Sequence, residues 1–146
     1  ATINITHTKK MVELIHRYRK KAVFHRAFDC VSDPYVAIQQ LIDCGVDRIL
    51  TSGLQPTALQ GCELLNNLQF KFGERVEILA GSGIHVDNIE TLRERTGIHQ
   101  FHGSCKIWKK DPTTTLGNIS YAYHEKDDYD CVSTEIVRQI VQLLKR

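Results

Sequence analysis

The stretch "VFHRAFD", Val23 to Asp29, sets His25, Arg26 and Asp29 among Val23, Phe24, Ala27 and Phe28. Taking three ionisable groups out of water costs several kcal/mol unless they are paired or solvated. In the right place they could do acid–base work. His25, Asp29 and the later His102 can give or take a proton, and Arg26 can hold a carboxylate in its planar fork. They could equally form a polar layer, with Arg26 paired to Asp29 and His25 on a neighbouring hydroxyl. A second set suits anions. Gly81, Ser82 and Gly83 make a flexible turn ahead of a helix, and "HGSCK" supplies Gly103, Ser104 and Lys106. Backbone N–H groups in such turns can cradle a phosphate or carboxylate, and Ser52 in "TSG" adds a hydroxyl. The same glycines are also what tight strand-to-helix turns require. A third set is soft. Cys30 and Cys105 each follow a predicted strand end, with His25 and His102 nearby, and thiolate and imidazole suit copper(I). The alternative for these thiols is small buried or incidental side chains. The chain has no H-x-x-x-H, C-x-x-C or G-x-S-x-G pattern.

These residues need elements to place them. Thr6 is a candidate cap for a first helix, with Met11, Leu14, Ile15 and Tyr18 on one face. A strand is expected over Ala22 to Phe28. Asp33 then caps a helix with Pro34 at its first position and Gly45 just past its end. "RILT", Arg48 to Thr51, reads as the second strand. Ala58, Leu59, Cys62, Leu65 and Leu68 trace another helix. "RVEILAGSG" gives the third strand, Asp87 a short capped helix, and Gln100 to Gly103 the fourth strand. Lys106 to Asp130 has the least regular pattern, and loops with an extra strand or short helix are expected there. Trp108, Tyr121, Tyr123 and Tyr129 in this stretch could close over a ligand or simply pack. A last helix runs from about Ser133 to Lys145, with Ile136, Val137, Ile140, Val141 and Leu144 as its expected buried face.

Alternating helix and strand demand parallel strands with helical crossovers. The spacing of strand starts near Ala22, Arg48, Arg75 and Gln100 fits a TIM-type (β/α) barrel. In such folds ligands bind at the carboxyl ends of the strands. All four predicted strand ends turn polar or glycine-rich: "HRAFD", "TSG", "AGSG" and "HGSCK". A shared, water-accessible site there would keep His25, Arg26 and Asp29 out of a dry core.

The bulk composition narrows the classes. The chain has 146 residues, enough for one domain, and no composition shift divides it, so residues 1–146 read as a single domain. A formal net charge of +2 and the absence of a basic, aromatic-interleaved stripe argue against nucleic acid. No apolar run is long enough to span a membrane, and no signal-peptide pattern is visible. Five widely spaced cysteines point to a reducing, cytoplasmic compartment rather than a disulfide framework.

At the four strand ends the sequence resembles the CutC family, described as copper-homeostasis proteins. The resemblance rests on "FHRAFD" at Phe24 to Asp29, "GVDRILTSGLQPTALQG" at Gly45 to Gly61, "AGSGI" at Ala80 to Ile84 and "FHGSCK" at Phe101 to Lys106. It covers nearly the whole chain, loosely after Lys106. Ser82 stands where the family turn has its middle glycine, and Cys105 where it has a small residue. The resemblance implies a barrel of which this chain supplies four strands, from the helix after strand four through strand eight. A preceding segment or a second copy of the chain would then complete it, making a homo-oligomer one expectation. It also implies a cytoplasmic role in copper homeostasis, with copper(I) as possible ligand and Cys30 and Cys105 as metal candidates. The residues themselves also suit a barrel enzyme or former enzyme that binds a small phosphorylated or carboxylated metabolite.

Overall fold

The computed structural model describes residues 1–122 and 124–145. They form two compact units, which meet in sequence between Gly103 and Ser104.

The first unit alternates helix and strand. Helix α1 is Ile5–Arg17, followed by β1 (Val23–Phe24), a 3-10 turn (Arg26–Cys30), α2 (Pro34–Asp43) and β2 (Arg48–Thr51). Then come α3 (Cys62–Phe72), β3 (Glu77–Gly81), α4 (Ile89–Thr96) and β4 (Gln100–His102). The strands make one parallel sheet in the order β1-β2-β3-β4, the architecture expected for this class. Its register sets Val23 against Arg48 and Arg48 against Glu77, and at the other end Thr51 against Ala80 and Gly81 against His102. Sequential strand order with right-handed crossovers puts the connecting helices on one face. Burial agrees: Ile49, Thr51, Ile78 and Ala80 point to the packed side and are almost fully enclosed. Ile38, Leu41, Leu65, Leu68, Ile89 and Leu92 close that core from the helices, each such side chain contributing about 1.5–3 kcal/mol. The opposite face carries Arg48, Leu50, Glu77 and Leu79, all only half-buried, and Val23, which is 48% exposed.

Local chemistry sets the boundaries. Asp33 caps α2 as expected, its carboxylate accepting from the N–H groups of Tyr35 and Val36, with Pro34 next. Gly97 ends α4 in the left-handed conformation. Three expected boundaries are corrected. Asn4 rather than Thr6 caps α1, accepting from His7 N–H. Asn88 rather than Asp87 occupies the cap position of α4. The first strand ends at Phe24 rather than Phe28, because the His25 ring accepts the Ala27 N–H and turns the chain into the 3-10 segment.

The second unit holds the antiparallel pair β5 (Lys106–Lys110) and β8 (Asp128–Val132). Between them lie a 3-10 turn (Pro112–Thr114) and a short hairpin of β6 (Thr115–Leu116) and β7 (Ile119–Ser120). Helix α5 (Thr134–Leu144) follows, capped by the Ser133 hydroxyl accepting from Ile136 N–H. The buried face expected for this helix is corrected: no α5 residue is fully buried, and Val137 and Val141 are exposed. A unit of two two-stranded sheets is too small to enclose a helix face. Trp108 stacks on the His124 ring at 4.9 Å and carries the Lys106 ammonium at 4.7 Å, while Tyr121 is exposed. Tyr123 lies outside the described residues. No helix among them is long and apolar enough to cross a membrane.

Candidate functional site

The carboxyl ends of the parallel strands begin with the 3-10 turn. His25 stands at its N-cap with Nδ1 3.0 Å from Ala27 N–H. Nδ1 is thereby an acceptor, so the neutral ring carries its proton on Nε2. The imidazole is exposed, as is Cys30 at the other end of the turn.

Asp29 is the hub of this end. Its side chain is 8% exposed. Oδ1 accepts from Thr51 Oγ1 at 2.5 Å, Ser52 N–H at 3.0 Å and Leu54 N–H at 3.2 Å. Oδ2 takes Arg26 Nε at 2.8 Å and lies 3.0 Å from Ser52 Oγ. Burial pushes the Asp29 carboxyl up, but the bonds from Thr51, Arg26, Ser52 and Leu54 together outweigh it and hold the group below its ordinary value. A carboxylate so stabilised is a poor proton acceptor at neutral pH. Arg26 Nη2 also donates to Ser52 Oγ at 2.8 Å. Of the sequence candidates, Arg26, Asp29 and Ser52 are therefore brought together, and they satisfy one another. Ser52 is fully buried, and its hydroxyl lies 2.5 Å from the Gln55 carbonyl.

The next two strand ends interlock. After β2, the backbones of Gly53 and Gly61 touch: a Cβ on Gly61 would lie 1.9 Å from the Ser52 carbonyl oxygen. After β3, Ser82 has φ +79°, a region that favours glycine. Its hydroxyl donates to the Pro56 carbonyl at 2.7 Å, and its own carbonyl accepts Ala58 N–H at 3.0 Å. Gly83, at φ +66°, backs onto Thr57. Asn88 closes this turn, donating to Gly83 O at 2.7 Å and accepting from His85 N–H at 2.9 Å.

His102 ends β4 opposite Gly81 and is exposed. β1 and β4 are three strand spacings apart, roughly 14 Å along the sheet. His25 and Cys30 thus stand at one edge of the sheet and His102 at the other. Gly103 and Ser104 are also exposed. Cys105, half-buried at φ +50°, belongs to the second unit, as do Ser104 and Lys106. Cys44 and Cys62 are buried packing residues. Among the described residues no three His, Cys, Asp or Glu side chains converge as a metal cluster would require. Sequence reasoning missed Thr51, Leu54, Pro56 and Asn88 as parts of this end. For Asn88 a signal existed: a turn-forming Asn beside the expected cap.

Comparison with known proteins adds a family. A model described as the CutC family matches residues 1–107. The family protein CutC of Xylella fastidiosa (strain Temecula1) is 37% identical over 123 residues, covering 84% of this chain and 45% of that protein. Its counterpart in Vibrio vulnificus (strain YJ016) is 35% identical over 146 residues, 98% of this chain and 58% of that one. A crystal structure of CutC from Streptococcus agalactiae, a protein named for copper homeostasis, aligns with a TM-score of 0.63 at 27% identity. It covers 70% of this chain and 50% of that one. The chain spans about half the length of the curated relatives it matches.

Proposed function

Since the chain belongs to the CutC family, with a match running through all four parallel strands, we propose that it acts in copper homeostasis and meets its ligand at the strand carboxyl ends. The observation that carries this reading is the extent of the match. It reaches from the first residue past Cys105 and so includes His25, Cys30, His102 and Cys105. Copper(I) favours such donors, and His25, Cys30 and His102 are exposed to it. Free cysteines throughout the described residues fit a reducing, cytoplasmic setting. The test is a titration of the reduced chain with copper(I) against a competing chelator, with Cys30→Ser, Cys105→Ser and His25→Ala alongside. Stoichiometric binding that weakens at least tenfold in one of the thiol variants supports copper as ligand. No competition with the chelator removes direct copper binding from the proposal.

A second reading has its own observation. Gly83 turns the chain at φ +66° after β3, in a segment that leads into α4. Backbone N–H groups of a turn ahead of a helix suit an oxyanion, and barrel enzymes often hold phosphate in this region. Under this reading the chain is a barrel enzyme or former enzyme that holds a small phosphorylated or carboxylated metabolite at the turn after β3, where the Ser82 hydroxyl is already given to the Pro56 carbonyl. Inorganic phosphate should then raise Tm. A Tm indifferent to phosphate and carboxylates counts against it.

A further inference from the structure

We propose that Ser82 is a positioning residue, holding a left-handed backbone so that its hydroxyl locks the loop after β2 onto the turn after β3. A glycine would adopt φ +79° freely, whereas a serine there is strained. Something must offset that strain, and the geometry shows what does. Ser82 Oγ donates to the Pro56 carbonyl at 2.7 Å, and Ala58 N–H donates to the Ser82 carbonyl at 3.0 Å. The two bonds bracket Pro56 to Ala58 from one residue. Thr57 between them rests against Gly83, where an added Cβ would come within 3.1 Å of its methyl group. The other end of the same loop is already held, because Asp29 accepts from Ser52 N–H and Leu54 N–H. Ser82 thus completes a chain of bonds from the 3-10 turn, through the loop after β2, to the turn after β3. Three strand-end segments become one body. A ligand meeting this face finds a preformed rim rather than one it must first order. The clamp stands independently of whether that ligand is copper or an anion.

Amide hydrogen exchange on the full chain tests the clamp, in wild type, Ser82→Gly and Ser82→Ala. Ser82→Gly removes the hydroxyl and relieves the strain, so the Ala58 amide should exchange about fivefold faster, as for one lost hydrogen bond. The β3 core amide of Leu79 should stay unchanged. Ser82→Ala removes the hydroxyl and keeps the strain, so it should show the same local opening with a lower Tm than Ser82→Gly. An Ala58 exchange rate unchanged in both variants overturns the proposal. So does acceleration spread equally over Ala58 and Leu79, which would mark Ser82 as a general stabiliser only.

Discussion

Asp29 shows how one carboxylate can join two loops. Its oxygens receive donors from Arg26 in its own turn and from Thr51, Ser52 and Leu54 beyond β2. Asp29→Ala strands those donors, and with the carboxylate 8% exposed the expected loss is about 3 kcal/mol of unfolding free energy. Asp29→Asn should lose somewhat less, because the amide keeps one acceptor oxygen while only the other position turns an N–H₂ toward donors. Urea unfolding at pH 7 measures both. The pH dependence follows from the lowered carboxyl. The unfolded chain binds a proton near the ordinary value of 3.8 and the folded chain only below it. Stability from this group is therefore present above the unfolded value and is lost as pH falls through the folded one. The gap between wild type and Asp29→Asn should shrink as unfolding is followed from pH 5 downward (about one pH unit above the ordinary value). A gap constant with pH would mean that the Asp29 charge contributes nothing. The Arg26–Asp29 pair was legible in the sequence because the two are three residues apart. Thr51 and Leu54 were not, because they lie 22 and 25 residues away and only the β1–β2 register brings them near.

Among the elements, those specified by local chemistry were read from sequence and those closed by distant contacts were not. "RILT" is β2 as read, since its alternating burial follows from a half-buried strand. The helix after Asp33 is also as read, because a capping Asp and a Pro at the first position act within one turn. Asp33→Ala should lower stability by about 1 kcal/mol, visible in thermal unfolding. "HRAFD" misled because apolar alternation fits a strand and a 3-10 turn equally over so few residues. What decides is the His25 ring reaching Ala27 N–H. The amphipathic pattern of α5 predicted a buried face, yet pattern reports only what a helix can bury and not whether its unit is large enough to do so. Between β2 and α3 the backbones of Gly53 and Gly61 cross closely. Gly61→Ala places a Cβ against the Ser52 carbonyl, a backbone atom that cannot swing away. The expected cost is about 3 kcal/mol or more, with reduced yield of folded protein as the first sign. A near-neutral Gly61→Ala would show that the loop between β2 and α3 can part from β2.

For the whole molecule, the sheet raises the question that its residues cannot answer alone. Purely parallel sheets occur with both faces covered, but in the first unit only the helix-packed face is enclosed. The other presents Val23, Leu50 and Leu79 beside the Arg48–Glu77 pair. The outer edges of β1 and β4 pair with no strand among the described residues, and unpaired edges invite other strands. A cleft of about 300 Å³ between α1 and β1, lined by Met11, Ile15, Val23 and Phe24, adds apolar surface at one of those edges. The alignment with the solved Streptococcus agalactiae relative covers 50% of that protein's length. The chain by itself should therefore associate, and its weight-average mass by light scattering should rise with concentration. Val23→Lys places a charge at the β1 edge, on a side chain already 48% exposed, a device natural edge strands use against pairing. It should shift the population toward monomer without lowering Tm. Association that persists in Val23→Lys would move the contact to the β4 edge or to α5, where Val137 and Val141 are also exposed. A wild-type mass that stays monomeric across the concentration range would mean that the half-buried Leu50 and Leu79 and the ion-paired Arg48 and Glu77 suffice to keep the open face stable in water.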